Sequence, residues 1–164
     1  MLSAIQGQLS RPPLVSAARG MSLFGEHAAG WLALGMLGAS VDSDRRSDWL
    51  YASAGVAAAH GASIAIKRVI RRPRPDDPSV AVLVGTPSRL SFPSSHASST
   101  TAAAVLYGRL LGRRLSPAVV PPMLLSRLVL GVHFPSDVLA GAALGAASAG
   151  LLGRLRRRRQ ERRS

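Results

Sequence analysis

The chain has 164 residues, 47% of them hydrophobic, no cysteine and a formal net charge of +13. That length fits one domain. The missing cysteine excludes disulfides, thiolate nucleophiles and cysteine-based zinc sites, and 4% aromatic content leaves no stacking platform for nucleic-acid bases. A positive mean hydropathy of +0.18 beside so much charge requires the two to be segregated. They are: Ala28 to Val41, Trp49 to Ile66, Ala102 to Leu111, Ala118 to Leu125 and Val138 to Leu152 are nearly charge-free. Blocks of this kind, rich in Gly, Ala and Ser, suit helices packed in a bilayer, whereas a soluble helix would carry a charged stripe.

In chain order, residues 1–20 read as a weakly amphipathic interfacial segment or degenerate first helix, broken at Pro12 and Pro13. No secretory signal pattern opens the chain. A helix is expected from about Leu23 to Val41, a polar turn at "DSDRRSD", and a second helix from Asp48 to Ile70 that ends at the arginines and Pro73. Residues 71–92 form a loop. Pro93 and Ser94 open a third helix through Leu111, and Ser116 to about Leu130 forms a fourth, with Pro121 and Pro122 predicting a kink. Pro135 suits the first position of the last helix. The expected fold is all-α: a polytopic membrane bundle of about five spans, with a membrane-embedded domain at 21–153 and a basic cytoplasmic tail at 154–164.

Alternating helices place Arg45, Arg46, Arg109, Arg113, Arg114 and the tail on one side, which the positive-inside rule makes cytoplasmic. The tail follows an apolar span, where arginines meet anionic headgroups, so membrane lipids and not nucleic acid are its expected partners. The opposite, outer side then collects Lys67, Arg74, Ser94, Ser95, His96, Ser126, Arg127, His133 and Asp137. Cations, hydroxyl donors, a fresh helix N-terminus, two histidines and a carboxylate four residues after one of them are equipment for phosphoryl transfer. Lys67 is the only lysine among 21 basic residues. His27 and His60 lack motif partners, and His60 reads as a packed or helix–helix hydrogen-bonding residue. Arg68, Arg71, Arg72 and Arg89 read as solvated loop charge, with steering of an anionic headgroup as the alternative.

These residues resemble the type 2 phosphatidic acid phosphatase family, related to the vanadium haloperoxidases, through a tripartite signature. Its K-x6-RP part stands at Lys67 through Arg74-Pro75. Its PSGH part stands at Pro93-Ser94-Ser95-His96, with Ser95 at the usual glycine, and its SR-x5-H-x3-D part at Ser126-Arg127, His133 and Asp137. The resemblance covers about residues 27–153. It implies that His133 attacks phosphorus to form a phosphohistidine while Asp137 orients it, and that His96 protonates the leaving oxygen. Lys67, Arg74 and Arg127, with Ser94, Ser95 and backbone N–H groups, would bind the phosphoryl oxygens. Ser95 either crowds the phosphate or adds a hydroxyl donor; its small size favours the second. The family uses no metal and no cofactor.

The implied substrate is a lipid phosphate at the outer face of the plasma membrane; self-association is left open. Branches of the family cleave phosphatidic acid, phosphatidylglycerol phosphate, polyprenyl diphosphates or decaprenylphosphoryl-5-phosphoribose. Small size, the "FPSSHAS" variant and an Ala/Gly/Arg-rich composition most resemble the last, in cell-wall arabinan precursor synthesis. A polyprenyl diphosphate phosphatase is the alternative. A lipid-headgroup-binding membrane component without catalysis would need neither histidine nor Asp137.

Overall fold

The computed structural model describes residues 1–162; of the expected basic tail, positions 163–164 lie outside the described residues. Seven α-helices are described: α1 (Leu2–Leu9), α2 (Pro12–Gly25), α3 (Ala29–Val41), α4 (Arg46–Ile70), α5 (Ser95–Leu110), α6 (Ser116–Val129) and α7 (Pro135–Glu161). Short 3-10 turns precede α3 and α4. The prolines at 12 and 13 start α2 rather than break it, since their missing N–H groups fall among the unpaired donors of a first turn. The single helix expected from Leu23 to Val41 is divided, because His27 and Ala28 take left-handed φ values of 49° and 61°. α6 carries Pro121 and Pro122 inside one continuous helix. α7 runs on through the arginines to Glu161, and Arg156 pairs with Asp48 at the start of α4.

α5 is the centre of the bundle, flanked by α4, α6 and α7. It is buried all round from Ala97 to Ala104, where the residues are all small, which lets neighbouring backbones come close. A Cβ at Gly141 would lie 2.5 Å from the Ser94 carbonyl oxygen, and one at Gly145 would lie 2.3 Å from that of Ser98. Only glycine permits α7 to lie so near α5. Two buried polar side chains of the core are paired: Trp31 Nε1 donates to Thr100 Oγ1 at 3.0 Å, and the Tyr107 hydroxyl donates to the Trp31 carbonyl at 2.9 Å. An unpaired buried donor would cost ~1–3 kcal/mol.

By length and apolarity, α4 and α7 can each cross a bilayer. At ~1.5 Å per residue, the 25 residues of α4 extend ~38 Å. The other expected crossings, α3, α5 and α6, have 13, 16 and 14 residues.

The N-terminal segment is docked, not loose. Gln6 of α1 donates to the carbonyls of Ala81 and Val129 at 2.7 and 3.0 Å and accepts from the Ala81 amide at 3.0 Å. That ties α1, the 71–94 loop and the end of α6 together. The turn after α6 needs Gly131 (φ 70°), where a Cβ would meet the Ala81 carbonyl oxygen at 2.3 Å. This turn delivers His133.

Candidate active site

The 71–94 loop, the end of α4, the starts of α5 and α7 and the 130–134 turn meet at one end of the bundle. There a cavity of about 350 Å³ is lined by Lys67, Arg74, Ser95, His96, Arg127 and His133, among others. Six of the residues singled out from sequence thus line one cavity.

His133 is 2% exposed and Asp137 is fully buried. The first turn of α7 places the carboxylate beneath the imidazole, with Asp137 Oδ2 3.5 Å from His133 Nδ1 and accepting the Phe134 amide at 2.8 Å. The first contact is an ion-pair distance, longer than a formed hydrogen bond; such contacts tighten in reactive complexes. Arg74 Nη1 lies 3.2 Å from His133 Nε2. A guanidinium only donates, so Nε2 is the acceptor and Nδ1 holds the proton, facing Asp137. The ring is therefore set with its lone pair toward the cavity's cations. Burial pushes the His133 pKa down to about 3; Asp137 opposes the shift, and Arg74, Arg127 and Lys67 add to it. A neutral imidazole, the form a nucleophile requires, is thereby secured.

Arg74 is anchored by donating from Nε to the Ser88 carbonyl (2.8 Å) and from Nη1 to the Val132 carbonyl (2.6 Å). Burial lowers its pKa from the ordinary value, with Asp137 and Glu26 opposing. Arg127, on α6, is 2% exposed, and its Nε and Nη1 have no hydrogen-bond partner. Two unpaired donors on a buried cation at a cavity wall suit an anionic ligand with several oxygens.

The structure changes the reading of the smaller residues. Lys67 Nζ donates to the carbonyls of Pro93 at 2.6 Å and Ser91 at 2.9 Å, with Leu90 at 3.4 Å. Its ammonium sits in a cup of backbone oxygens, so it acts on the cavity as a buried charge and fixes the strand of loop that leads into α5. Ser94 does not line the cavity: it is fully buried, caps α5 by accepting the Ala97 amide at 3.4 Å, and gives its own amide to the Asp137 carbonyl at 2.9 Å. As N-cap its oxygen accepts from the first turn of the helix, and the hydroxyl that was expected to reach phosphate lies away from the cavity. Ser126 is likewise turned inward, donating to the Met123 carbonyl at 2.7 Å. Ser95 does line the cavity, but its Oγ lies 2.7 Å from Ser63 Oγ, which is itself 2.6 Å from the His60 carbonyl. Both contacts are hydrogen bonds only if Ser63 donates to His60 and Ser95 donates to Ser63. The side chain at the usual glycine thus joins α5 to α4.

Two features escaped the sequence. Arg72 donates to Asp137 Oδ1 at 3.0 Å and Ser136 Oγ at 2.8 Å, with its guanidinium 4.2 Å from the Phe134 ring centroid. It is tied to the Asp137 carboxylate behind His133 and is not solvated loop charge; nothing in a run of four arginines singles it out. His96 Nε2 lies 3.0 Å from the Ser22 carbonyl oxygen, so α2 holds this ring. A Cβ on Gly25 would come within 2.6 Å of His96 Cδ2. Among the described residues there is no group of His, Asp and Glu that could hold a metal.

A helical membrane bundle that aims a neutral, carboxylate-backed histidine at buried, unpaired cations defines a phosphoryl-transfer protein of the membrane. The chain belongs to the PAP2 superfamily, whose family description it matches over residues 48–161, and is a phosphatase of that class. It is 56% identical over 147 residues to the decaprenylphosphoryl-5-phosphoribose phosphatase of Mycobacterium tuberculosis (strain CDC 1551 / Oshkosh), covering 89% of this chain and 83% of that one. It is 55% identical over 142 residues to the protein of that name from Mycolicibacterium smegmatis, covering 86% and 79%. Its fold is similar to the crystal structure of the transmembrane PAP2-type phosphatidylglycerolphosphate phosphatase from Bacillus subtilis. That likeness has a TM-score of 0.77 at 23% identity and covers 96% of this chain and 85% of the other.

Proposed function

We propose that this protein removes the 5-phosphate of decaprenylphosphoryl-5-phosphoribose, without a metal, through a phosphohistidine on His133. The observation that carries the chemistry is the Arg74–His133 contact, which leaves Nε2 as the lone-pair nitrogen beside the unpaired donors of Arg127. The identity of 55–56% to relatives bearing that substrate's name, over most of both chains, supports the substrate.

The incoming phosphoryl oxygens take up the N–H groups of Arg74 and Arg127, while Lys67 adds charge from its carbonyl cup. His133 Nε2 then attacks phosphorus in line as the ribose oxygen departs, and His96 gives that oxygen a proton. Asp137 stabilises the cation that forms on the ring. A water, deprotonated by His96, next attacks the phosphohistidine; inorganic phosphate leaves and neutral His133 returns. Donors held in place before charge develops are worth ~10²–10³ in rate apiece.

Helices α3 to α7 serve as the crossings. Arg45, Arg46, Arg109, Arg113, Arg114 and the end of α7 then lie together, and the positive-inside rule puts them in the cytoplasm. The cavity opens at the outer leaflet of the plasma membrane, where a phosphorylated headgroup sits while its polyprenyl chain stays in the bilayer.

The test is phosphate release by purified protein in chelator-containing buffer, from the phosphoribosyl lipid, phosphatidic acid and a polyprenyl diphosphate. The first is expected to have the highest kcat/KM, and a higher value for either other lipid overturns the substrate. His133→Ala is expected to lose at least ~10⁴-fold in kcat and to show no acid-labile phosphoenzyme. Activity that survives this change excludes the histidine mechanism.

A further inference from the structure

The cavity has a second half that the phosphoryl chemistry does not use. Beyond Arg74, Arg127 and His133 it is lined by Glu26, His27 and His60. Glu26 is the sole acidic residue on a wall that otherwise presents Lys67, Arg68, Arg74 and Arg127. A carboxylate there repels a phosphate dianion, so it opposes the binding the cations favour. Nor does it make a close ion pair with the cavity's arginines, whose charge it offsets from farther away: its one ion-pair contact among the described residues is His27 Nε2 at 3.7 Å, too long for a hydrogen bond.

The backbone that presents it is sharply bent. Glu26 opens a 3-10 turn between α2 and α3, and the next two residues, His27 and Ala28, both take left-handed φ. Non-glycine residues hold that conformation only where their surroundings impose it, and such sites gather around ligands. Across from this turn, α4 brings His60, whose ring centroid lies 6.4 Å from that of His27. His60 Nδ1 is buried without a hydrogen-bond partner. On the same face of α4, one and two turns on, Ile64 and Arg68 continue the lining.

An ionised carboxylate only accepts, through two oxygens side by side. The neutral donors that match it are two adjacent hydroxyls, as where an acidic side chain holds the ribose hydroxyl of a dinucleotide. We infer that Glu26, with His60 beside it, is a sugar subsite that recognises the cis-diol of a pentose whose phosphate lies among Arg74, Arg127 and His133. This rests on the substrate reading above and adds to it what would separate a ribosyl phosphate from a lipid phosphate lacking hydroxyls. Phosphatidic acid would leave Glu26 facing the cavity unpaired.

The test is inhibition of the full-length enzyme, reporting on phosphatidic acid hydrolysis, by D-ribose 5-phosphate and by 2-deoxy-D-ribose 5-phosphate. Neither inhibitor carries a lipid, so the result does not depend on the natural substrate. Wild type is expected to bind the ribose compound about ten- to hundredfold more tightly, the value of a hydrogen bond to a charged group. Glu26→Gln is expected to bring the two inhibition constants to within about threefold of each other. Equal constants for wild type overturn the subsite, and so does a Glu26→Gln variant that keeps the wild-type ratio. The wild-type measurement stands alone if Glu26→Gln does not fold. A wild-type ribose preference in an enzyme that leaves the phosphoribosyl lipid intact would overturn the lipid assignment and keep the subsite.

Discussion

The two histidines of the site stand in unlike surroundings. His133 is enclosed: its turn is pinned by Gly131 against the Ala81 carbonyl, Arg74 contacts its ring, and Asp137 beneath it is held by Arg72 and the Phe134 amide. His96 is held by a single carbonyl, that of Ser22, from a helix outside the family-matched segment 48–161. The wall around His133 is built from groups that the proposed reaction needs in one fixed place. The wall around His96 is continuous with the Glu26 turn, and so with whatever part of the substrate lies beyond its phosphate. Phosphoryl geometry is common to all phosphate monoesters, while the remainder of the substrate varies. The N-terminal helices complete the wall that lies beyond the phosphate.

The largest effect that would sharpen this contrast lies at Arg127. Its unpaired Nε and Nη1 are two donors in a planar fork, which an ammonium cannot copy. Arg127→Lys is expected to cost ~10³ in kcat/KM, read by phosphate release; a loss under tenfold would mean that charge alone suffices. Lys67→Arg comes next, at ~10², and here the thermal midpoint in detergent should fall as well. Three carbonyl oxygens around one nitrogen fit a tetrahedral ammonium and not a guanidinium. Lost activity with unchanged stability would show instead that Lys67 matters only through direct contact with phosphate. On the other wall, Gly25→Ala must displace the His96 ring from a 2.6 Å approach. An expected loss of ~10² in kcat, with the His133 phosphoenzyme still trapped, would place the defect in proton transfer. Wild-type kcat would mean that α2 is not part of the site.

The signature made the catalytic wall legible because each of its parts ends a hydrophobic block, and alternation of helices brings such ends together. His96, Arg127, His133 and Arg74 are where that reasoning places them. Ser94 is not, because the same position that starts a helix also uses the hydroxyl to cap it, and sequence does not say which demand wins. Lys67 was legible as exceptional but not as a clamp, since its partners are backbone carbonyls 23 to 26 residues away. The division of the first long helix was hidden for a related reason. Nothing in "GEHAAG" is a strong helix breaker, and the left-handed turn at His27 and Ala28 is imposed by packing against α4 and α5. Glu26 went unread with it, and His60 was read only as a packed residue, because a carboxylate and a histidine 34 positions apart have no spacing rule to join them.

Arg72 gives the smallest expected effect and the sharpest distinction between positioning and mere support. Its guanidinium neutralises Asp137 from the side opposite His133 while stacking on Phe134. In Arg72→Gln the hydrogen bond can be kept but the charge is gone, so the Asp137 carboxylate is less compensated. A less compensated carboxylate favours imidazolium, and the His133 pKa then rises from about 3. The nucleophile is lost to protonation below its pKa, so the acid limb of kcat/KM should move to higher pH. At neutral pH, where His133 remains neutral in both proteins, the loss should be only about tenfold, falling on kcat more than KM. Arg72→Lys, which restores the charge without the fork, should return the acid limb toward the wild-type position. A uniform loss at every pH, with the limb unmoved, would reduce Arg72 to a staple between the loop and α7.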